Sequence, residues 1–248
     1  MKIIAIGGGE IGRPGYPVET TKIDKEIIAL TGKKKPRLLF VPTASSDSKS
    51  YYEVVKKHFG KRLGCKTDVL YLIKGKLTKK QIEEKVFNSD IIYVGGGNTA
   101  KLMKVWRKKG LDKILKKAGE KGIVLSGISA GAICWCKYGL SDSRRFNNPN
   151  ADFIRVSGMN LVNVTYCPHY DFEPRRKLGL KKLMQKSSGV AIALDNCSAI
   201  EIIDDKYSIL KSKTKANVYR VLWNKGKFHQ EIIKQRKEFR PLSEILSK

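Results

Sequence analysis

The sequence predicts an α/β protein with a doubly wound, mainly parallel sheet and helices on both faces. Short apolar runs rich in Ile, Val and Leu recur along the 248-residue chain, and such runs are typical of strands buried on both faces. Amphipathic stretches lie between them, and this alternation indicates a parallel sheet. Because no linker interrupts the pattern, we predict a single domain over residues 1–248, with a basic tail at about 224–248.

The elements follow from local pattern. The predicted strands are Lys2–Ile6, Arg37–Val41, 68–72, 90–94, 122–125 and Val190–Leu194. The predicted helices are 21–30, 51–63, 78–87, 99–108, 111–118 and 174–186, each with apolar residues at helical spacing. Thr78 and Gln81 form a capping-box pattern at the start of the third helix. Polar residues 141–156 predict a long loop.

The last part of the chain has a different pattern. Residues around 207–210 and 216–223 predict antiparallel edge strands, and a basic amphipathic helix is expected near the end.

Composition excludes several classes of protein. No segment approaches the roughly 18 apolar residues of a membrane span. Residues 1–6 indicate a first strand rather than a targeting signal, so we expect a cytoplasmic protein. Five cysteines without a CxxC pair or zinc spacing predict reduced, mostly buried thiols and no metal site. We expect no cofactor. The net charge of +27 suits nucleic acid or acidic small molecules, but the lysines are spread evenly and no RNA-binding signature occurs, which argues against nucleic acid.

A serine between glycines is the most informative motif. Residues 127–131 read Gly-Ile-Ser-Ala-Gly and follow the apolar run that ends at Leu125. A buried strand that turns sharply into a helix at such a serine is a nucleophile elbow, in which the turn exposes the hydroxyl. The alternative is a plain strand-to-helix turn closed by glycines.

Two glycine loops follow other predicted strands. Residues 7–12 satisfy GxGxxG, but Pro14 and Pro17 oppose the helix that a dinucleotide site needs, so a turn lining the site is the better interpretation. Residues 95–97 are three glycines that do precede a helix, and their backbone N–H groups suit an oxyanion. We expect Gly96 and Asn98 of this loop to contact substrate.

A serine nucleophile needs a base, and histidine is the usual one. Of the three histidines, His58 lies in a surface helix pattern and His229 in the basic tail, whereas His169 follows an apolar stretch and Pro168. We therefore predict His169 as the base. The acid that would orient it stays open between Asp142 and Asp195, with Glu201 and Asp171 as weaker candidates.

Together these motifs resemble a known family. Residues 95–99, 127–132 and 168–170 are similar to the peptidase E and cyanophycinase group of serine peptidases, whose fold is like that of class I glutamine amidotransferases with serine in place of cysteine. The resemblance covers roughly residues 36–223. It implies Ser129 as nucleophile, His169 as base, Gly97 and Ala130 as oxyanion donors, Asp142 as acid, and Arg175 or Arg176 as the holder of an acidic substrate side chain. A second acid position of the family, a glutamate, falls on Asn196, which departs from the pattern.

We therefore predict a serine peptidase that hydrolyses short peptides, with an acidic N-terminal residue as one possible specificity. Asn196 favours a first alternative, a binding protein with the same fold and no activity, and the charge of +27 suggests a second, a nucleic-acid-binding protein. A homodimer stays open.

Overall fold

A computed structural model describes residues 1–247, apart from the side chain of Pro174. Its strands are β1 (Lys2–Ile6), β2 (Arg37–Val41), β3 (Lys66–Val69), β4 (Ile91–Val94), β5 (Val124–Ile128), β6 (Cys136–Ser141), β7 (Ile154–Ser157), β8 (Val162–Cys167), β9 (Val190–Leu194), β10 (Ser198–Ile203), β11 (Lys206–Lys211), β12 (Val218–Asn224), β13 (Lys227–Ile232) and β14 (Arg240–Pro241). Its helices are α1 (Thr21–Ala29), α2 (Lys49–Val55), α3 (Lys79–Phe87), α4 (Thr99–Lys109), α5 (Leu111–Glu120), α6 (Ala130–Ile133), α7 (Pro174–Gln185) and α8 (Ser243–Leu246). A wider, π-type helical segment, Lys56–Arg62, continues α2.

The strands form two mixed sheets rather than the one sheet expected. The larger has the order β14-β11-β10-β1-β5-β4-β2-β3, and the five strands from β1 to β3 in this order are parallel. The smaller has the order β13-β12-β9-β8-β6-β7, with β6, β8 and β9 parallel. Strands β10–β14 extend the edges of both sheets in antiparallel fashion, so the predicted antiparallel edges are divided between two sheets.

Successive side chains of β1 point to opposite faces of the larger sheet, and each face packs against a different layer. Ile3 and Ala5 pack into a core shared with α3, α4, α5 and residues of the smaller sheet, whereas Ile4 and Ile6 pack on α1 and the α2 segment. The outer face of the smaller sheet is covered by α7, through Leu180 and Met184. The predicted α/β class with helices on both sides is therefore confirmed. The chain forms two sheets because β8 and β9 of the smaller sheet pack their apolar residues face to face against β1 and β10 of the larger one.

Several local predictions differ in their bounds. The third strand pairs over 66–69 rather than 68–72, and Leu70 and Leu72 are buried just beyond the pairing. The predicted loop 141–156 contains a short 3₁₀ turn and ends in β7. The predicted C-terminal helix is the single turn α8, which follows the hairpin of β12 and β13.

Two other local predictions are confirmed. The capping box at Thr78 is present, with both of its hydrogen bonds, and the five cysteines are free and buried. Within residues 1–247, no helix is both long and apolar enough to cross a bilayer.

Candidate active site

Ser129 lies at the turn between β5 and α6. Its backbone has φ 56° and ψ −113°, an uncommon conformation for a residue with a side chain. The Ser129 N–H donates to the carbonyl of Ile6 at 3.0 Å, which ties the turn to the carboxyl end of β1. The structure thus has the sharp turn that the glycine-flanked serine predicts, although α6 spans one turn of helix only.

His169 faces Ser129 from the loop after β8. Its Nε2 is 2.8 Å from the Ser129 Oγ, although the two residues follow strands of different sheets, β5 and β8. The His169 backbone has φ 54° and is held by its N–H, which donates to the Gly7 carbonyl at 3.0 Å. The first glycine loop therefore positions the imidazole.

Asn196, which follows β9, is the partner of the other imidazole nitrogen. Its Oδ1 is 2.6 Å from His169 Nδ1. Because an amide oxygen only accepts hydrogen bonds, Nδ1 carries the proton and the lone pair of Nε2 points at the Ser129 hydroxyl. The Asn196 N–H in turn donates to Asp171 Oδ1 at 2.8 Å.

The predicted acids are not at this position. Asp142 accepts a hydrogen bond from Arg176 at 3.1 Å, and Asp195 accepts from the Asn217 N–H at 2.9 Å. Asp195 is directed to Asn217 because its neighbour Asn196 takes the place beside the imidazole. Of the weaker candidates, Glu201 is buried on β10, and Asp171 reaches the histidine only through Asn196.

Two backbone N–H groups near the serine have no hydrogen-bond partner among the described residues. Neither the Gly97 nor the Ala130 N–H donates a hydrogen bond to any residue within 1–247. Gly97 has φ 137°, and a Cβ there would lie 2.4 Å from the Ala44 carbonyl oxygen, so only glycine suits this loop. Free N–H donors beside a serine hydroxyl are what an oxyanion site requires.

The serine and histidine open onto a cleft of about 1430 Å³. One side is the loop from Gly9 to Val18, and another is the helix from Ser48 to Arg62. Gly96 and Gly97 complete the lining beside Ser129. Residues 9–12 of the GxGxxG motif thus line the cleft, in agreement with the interpretation of this loop as a turn lining the site.

The other predicted substrate contacts lie elsewhere. Asn98 caps α4, since its side chain accepts from the Lys101 N–H at 2.9 Å and donates to the Ser143 carbonyl at 3.1 Å. Arg175 is exposed and points to the Asn150 carbonyl, and Arg176 is buried against Asp142. None of the three lines the cleft.

Burial controls the charge of the imidazole. It lowers the pKa of His169 below the ordinary 6.5, and the positive charge of nearby Arg176 lowers this pKa further, while the hydrogen bond to Asn196 opposes the shift. The imidazole is therefore neutral at neutral pH, the form that can accept a proton from Ser129.

Sequence reasoning missed how Gly8 and Asn196 contribute. A Cβ on Gly8 would lie 2.0 Å from Asn196 Oδ1 and 2.3 Å from His169 Nδ1, so a glycine leaves the space in which these two side chains meet. The available signal was the glycine run after the first strand, but the sequence did not indicate which side chains would pack against it.

A strained serine at a strand–helix turn, hydrogen-bonded to a histidine at the carboxyl ends of the sheets, defines the class of serine hydrolases on α/β folds. Similarity to known proteins narrows this class. Residues 3–210 match the family model of Peptidase family S51, and the chain belongs to this family. It is a peptidase, of the serine type by its family, and the resemblance to the peptidase E group is confirmed.

Relatives agree with this assignment. The chain is 34% identical over 225 residues to Uncharacterized peptidase YgaJ of Bacillus subtilis (strain 168), covering 89% of this chain and 92% of that protein. It is 30% identical over 149 residues to Peptidase E of Nostoc sp. (strain PCC 7120), covering 59% and 57%. The fold is similar to the crystal structure of a peptidase from an acI-B1 Actinobacterium, with a TM-score of 0.70 at 20% identity over 97% of this chain and 96% of that one.

Proposed function

We propose that this peptidase cleaves short peptides with Ser129 as nucleophile, His169 as general base and Asn196 as the residue that orients the base. The observation that carries the proposal is the 2.8 Å contact between Ser129 Oγ and His169 Nε2 at the cleft. An amide in the third position has a precedent in the Cys-His-Asn arrangement of other peptidases.

The first half of the reaction forms an acyl-enzyme. Ser129 Oγ attacks the peptide carbonyl while its proton passes to His169 Nε2, and the carbonyl oxygen becomes an oxyanion. The free N–H groups of Gly97 and Ala130 are suited to stabilise that charge. The imidazolium then gives its proton to the leaving amine as the C–N bond breaks.

The second half regenerates the serine. Water attacks the ester carbonyl, its proton passes to His169 Nε2, and the C–O bond to Ser129 breaks as the proton returns to Oγ. The product is a carboxylic acid, and the two half-reactions consume only the peptide and one water molecule.

The charge of the cleft supports anionic peptides as substrates. Four cations line it (Arg13, Lys57, Lys61 and Arg62), against the two carboxylates Glu10 and Glu53. We therefore include a preference for acidic peptides, with an acidic first residue among them, in the proposal. Arg175 and Arg176 are not part of it, because they lie outside the cleft lining.

The test is hydrolysis of a dipeptide panel (Asp-X, Glu-X and neutral members) by wild type and Ser129→Ala. We expect turnover by wild type and its loss in the variant, with an unchanged circular dichroism spectrum. Ser157→Ala, an exposed serine on β7, is the matched control and retains activity. A labelled fluorophosphonate is expected to modify Ser129, and turnover that survives Ser129→Ala rules out the proposal.

Asn196 favours one alternative, a peptide-binding protein without turnover, because an amide stabilises an imidazolium less than a carboxylate does. This alternative predicts peptide binding that calorimetry detects in the absence of any hydrolysis across the same panel.

A further inference from the structure

One wall of the cleft presents a line of cations. The helix that runs through α2 and the wider segment Lys56–Arg62 lines the cleft with residues three or four apart. Lys57, Lys61 and Arg62 are its cationic members, and Glu53 is its one acidic member in the lining. All three cationic side chains are exposed. They therefore face the space in which a bound peptide would lie.

Among the described residues, these three cations form no salt bridge, although Arg62 lies close enough to the buried carboxylate of Asp24 to oppose the rise in its pKa that burial causes. The two cleft carboxylates have other neighbours, since Glu10 pairs with Arg13 at 2.6 Å and Glu53 lies 3.9 Å from Lys56. The cationic wall is thus available to an anionic ligand.

The start of the same helix is tied to the proposed oxyanion loop. The Gly96 N–H donates to the hydroxyl of Tyr51 at 3.3 Å, which puts this turn of α2 beside the loop. From Tyr51, Lys57 and Arg62 lie at most about 9 Å and 16 Å further along the helix axis, since an α-helix rises roughly 1.5 Å per residue and the wider π-type segment rises less. An extended peptide rises about 3.3 Å per residue, so it would cover that distance with roughly three to five residues.

The size of the cleft agrees with such a ligand. Its volume of about 1430 Å³ exceeds the roughly 300–1,000 Å³ that encloses a drug-sized molecule. A dipeptide would leave most of it empty.

We propose that Lys57, Lys61 and Arg62 form a remote subsite for the carboxylates of peptides of about four to six residues. The subsite binds the part of the peptide beyond the scissile bond, so the enzyme prefers substrates that are anionic at that end. Either the terminal carboxylate or an acidic side chain supplies the charge. This inference rests on the proposed function, because it places the scissile bond at Ser129.

The experiment compares the pentapeptides X-Ala-Ala-Ala-Glu and X-Ala-Ala-Ala-Gln, each as the free acid and as the C-terminal amide, with X either aspartate or alanine. We expect kcat/KM in low salt to be about tenfold higher for the Glu acid than for the Gln amide, because two carboxylates meet three exposed cations. The Glu amide and the Gln acid each carry one of the two carboxylates, and we expect intermediate kcat/KM for both. The comparison separates the contribution of the glutamate side chain from that of the C-terminal carboxylate. Salt at 1 M should remove the preference, since the screening length there is about 3 Å.

The triple variant Lys57→Gln, Lys61→Gln, Arg62→Gln is expected to lose the preference, mainly through KM. The matched control removes the same charge from the exposed face of α5, as Lys113→Gln, Lys116→Gln, Lys117→Gln, and keeps the preference. Equal kcat/KM for the four C-terminal forms, at either choice of X, overturns the inference. Loss of the preference in the control also overturns it, because the preference would then come from the net charge of the whole protein.

Binding to Ser129→Ala, measured by calorimetry, separates this inference from the proposed function. If no peptide is hydrolysed, the proposed function fails. The subsite is still tested by binding: tighter binding of the Glu acid than of the Gln amide to Ser129→Ala supports it, and equal binding overturns it. If peptides are hydrolysed but bind without regard to charge, only the subsite fails.

Discussion

Replacing Asn196 by aspartate puts a full negative charge at the atom that accepts the Nδ1–H of His169. The Asn196 Oδ1 lies 2.6 Å from that nitrogen, so the centres of the new carboxylate and the imidazolium would be about 4 Å apart. At an effective dielectric constant of about 20 this pair interacts by about 4 kcal/mol, or about 3 pKa units. Because this contact is only partly buried, solvent screens the pair, and we expect a net rise in the pKa of His169 of about 1–2 units.

The sign of the effect on activity follows from the role proposed for the histidine. The base works as neutral imidazole, and in the wild type burial and Arg176 keep its pKa below 6.5. A higher pKa in Asn196→Asp moves the acidic limb of the kcat/KM profile to higher pH. Above that limb the carboxylate stabilises the imidazolium that forms in the transition state, so kcat/KM rises about tenfold for each 1.4 kcal/mol gained.

The assay is the pH profile of kcat/KM for the best dipeptide of the panel, measured for wild type, Asn196→Asp and Asn224→Asp. The last variant makes the same exchange at an exposed position at the end of β12 and is expected to keep the wild-type profile. An acidic limb that stays at the wild-type pH in Asn196→Asp would refute the reasoning, because the 2.6 Å contact would then not govern the titration of His169.

Three further predictions follow from single contacts. Gly97→Ala is expected to lower kcat by at least about 100-fold, because a Cβ would lie 2.4 Å from the Ala44 carbonyl oxygen and displace the proposed oxyanion donor; wild-type kcat would contradict this. Asp24→Ala removes the carboxylate that lies 2.8 Å from Nε2 of buried His58. We expect urea unfolding to show a free energy of unfolding lower by about 3–5 kcal/mol. A decrease below about 1 kcal/mol would show that this pair contributes little to stability. Burial raises the pKa of Glu201 to about 7, above the ordinary 4.5, so the folded protein keeps a proton that the unfolded chain releases, and stability falls as pH rises through this interval. Glu201→Gln should therefore be about 1–3 kcal/mol more stable than wild type at pH 8, but not at pH 4; an equal gain at both pH values would exclude titration as the cause.

Residues close together in the chain were predictable where a local rule applies. The capping box at Thr78 needs only two side chains three residues apart, and its bonds are present. The sharp turn at Ser129 follows from a buried strand that meets a glycine-flanked serine. The antiparallel strands near the end were expected from their spacing, but the sequence did not indicate that they would extend two sheets.

Residues far apart in the chain were harder to assign. By sequence, Asp142 and Asp195 were the best candidates for the acid that orients His169. In the structure, Asp142 accepts a hydrogen bond from Arg176 and Asp195 accepts one from the Asn217 N–H. Asn196 was visible only as a departure from a family pattern, and its contact with His169 depends on how β9 lies beside β8.

The amino-acid sequence by itself determined the α/β class, the order of most elements and the turns that carry Ser129 and Gly97, because periodicity and turn chemistry act over a few neighbouring residues. Only the tertiary structure decided that a histidine and an asparagine after strands of the smaller sheet meet a serine after a strand of the larger one. It also decided that a basic helix forms one wall of their cleft. The physical reason is that these contacts join segments tens of residues apart, and the packing of two apolar sheet faces, rather than any local preference, brings them together.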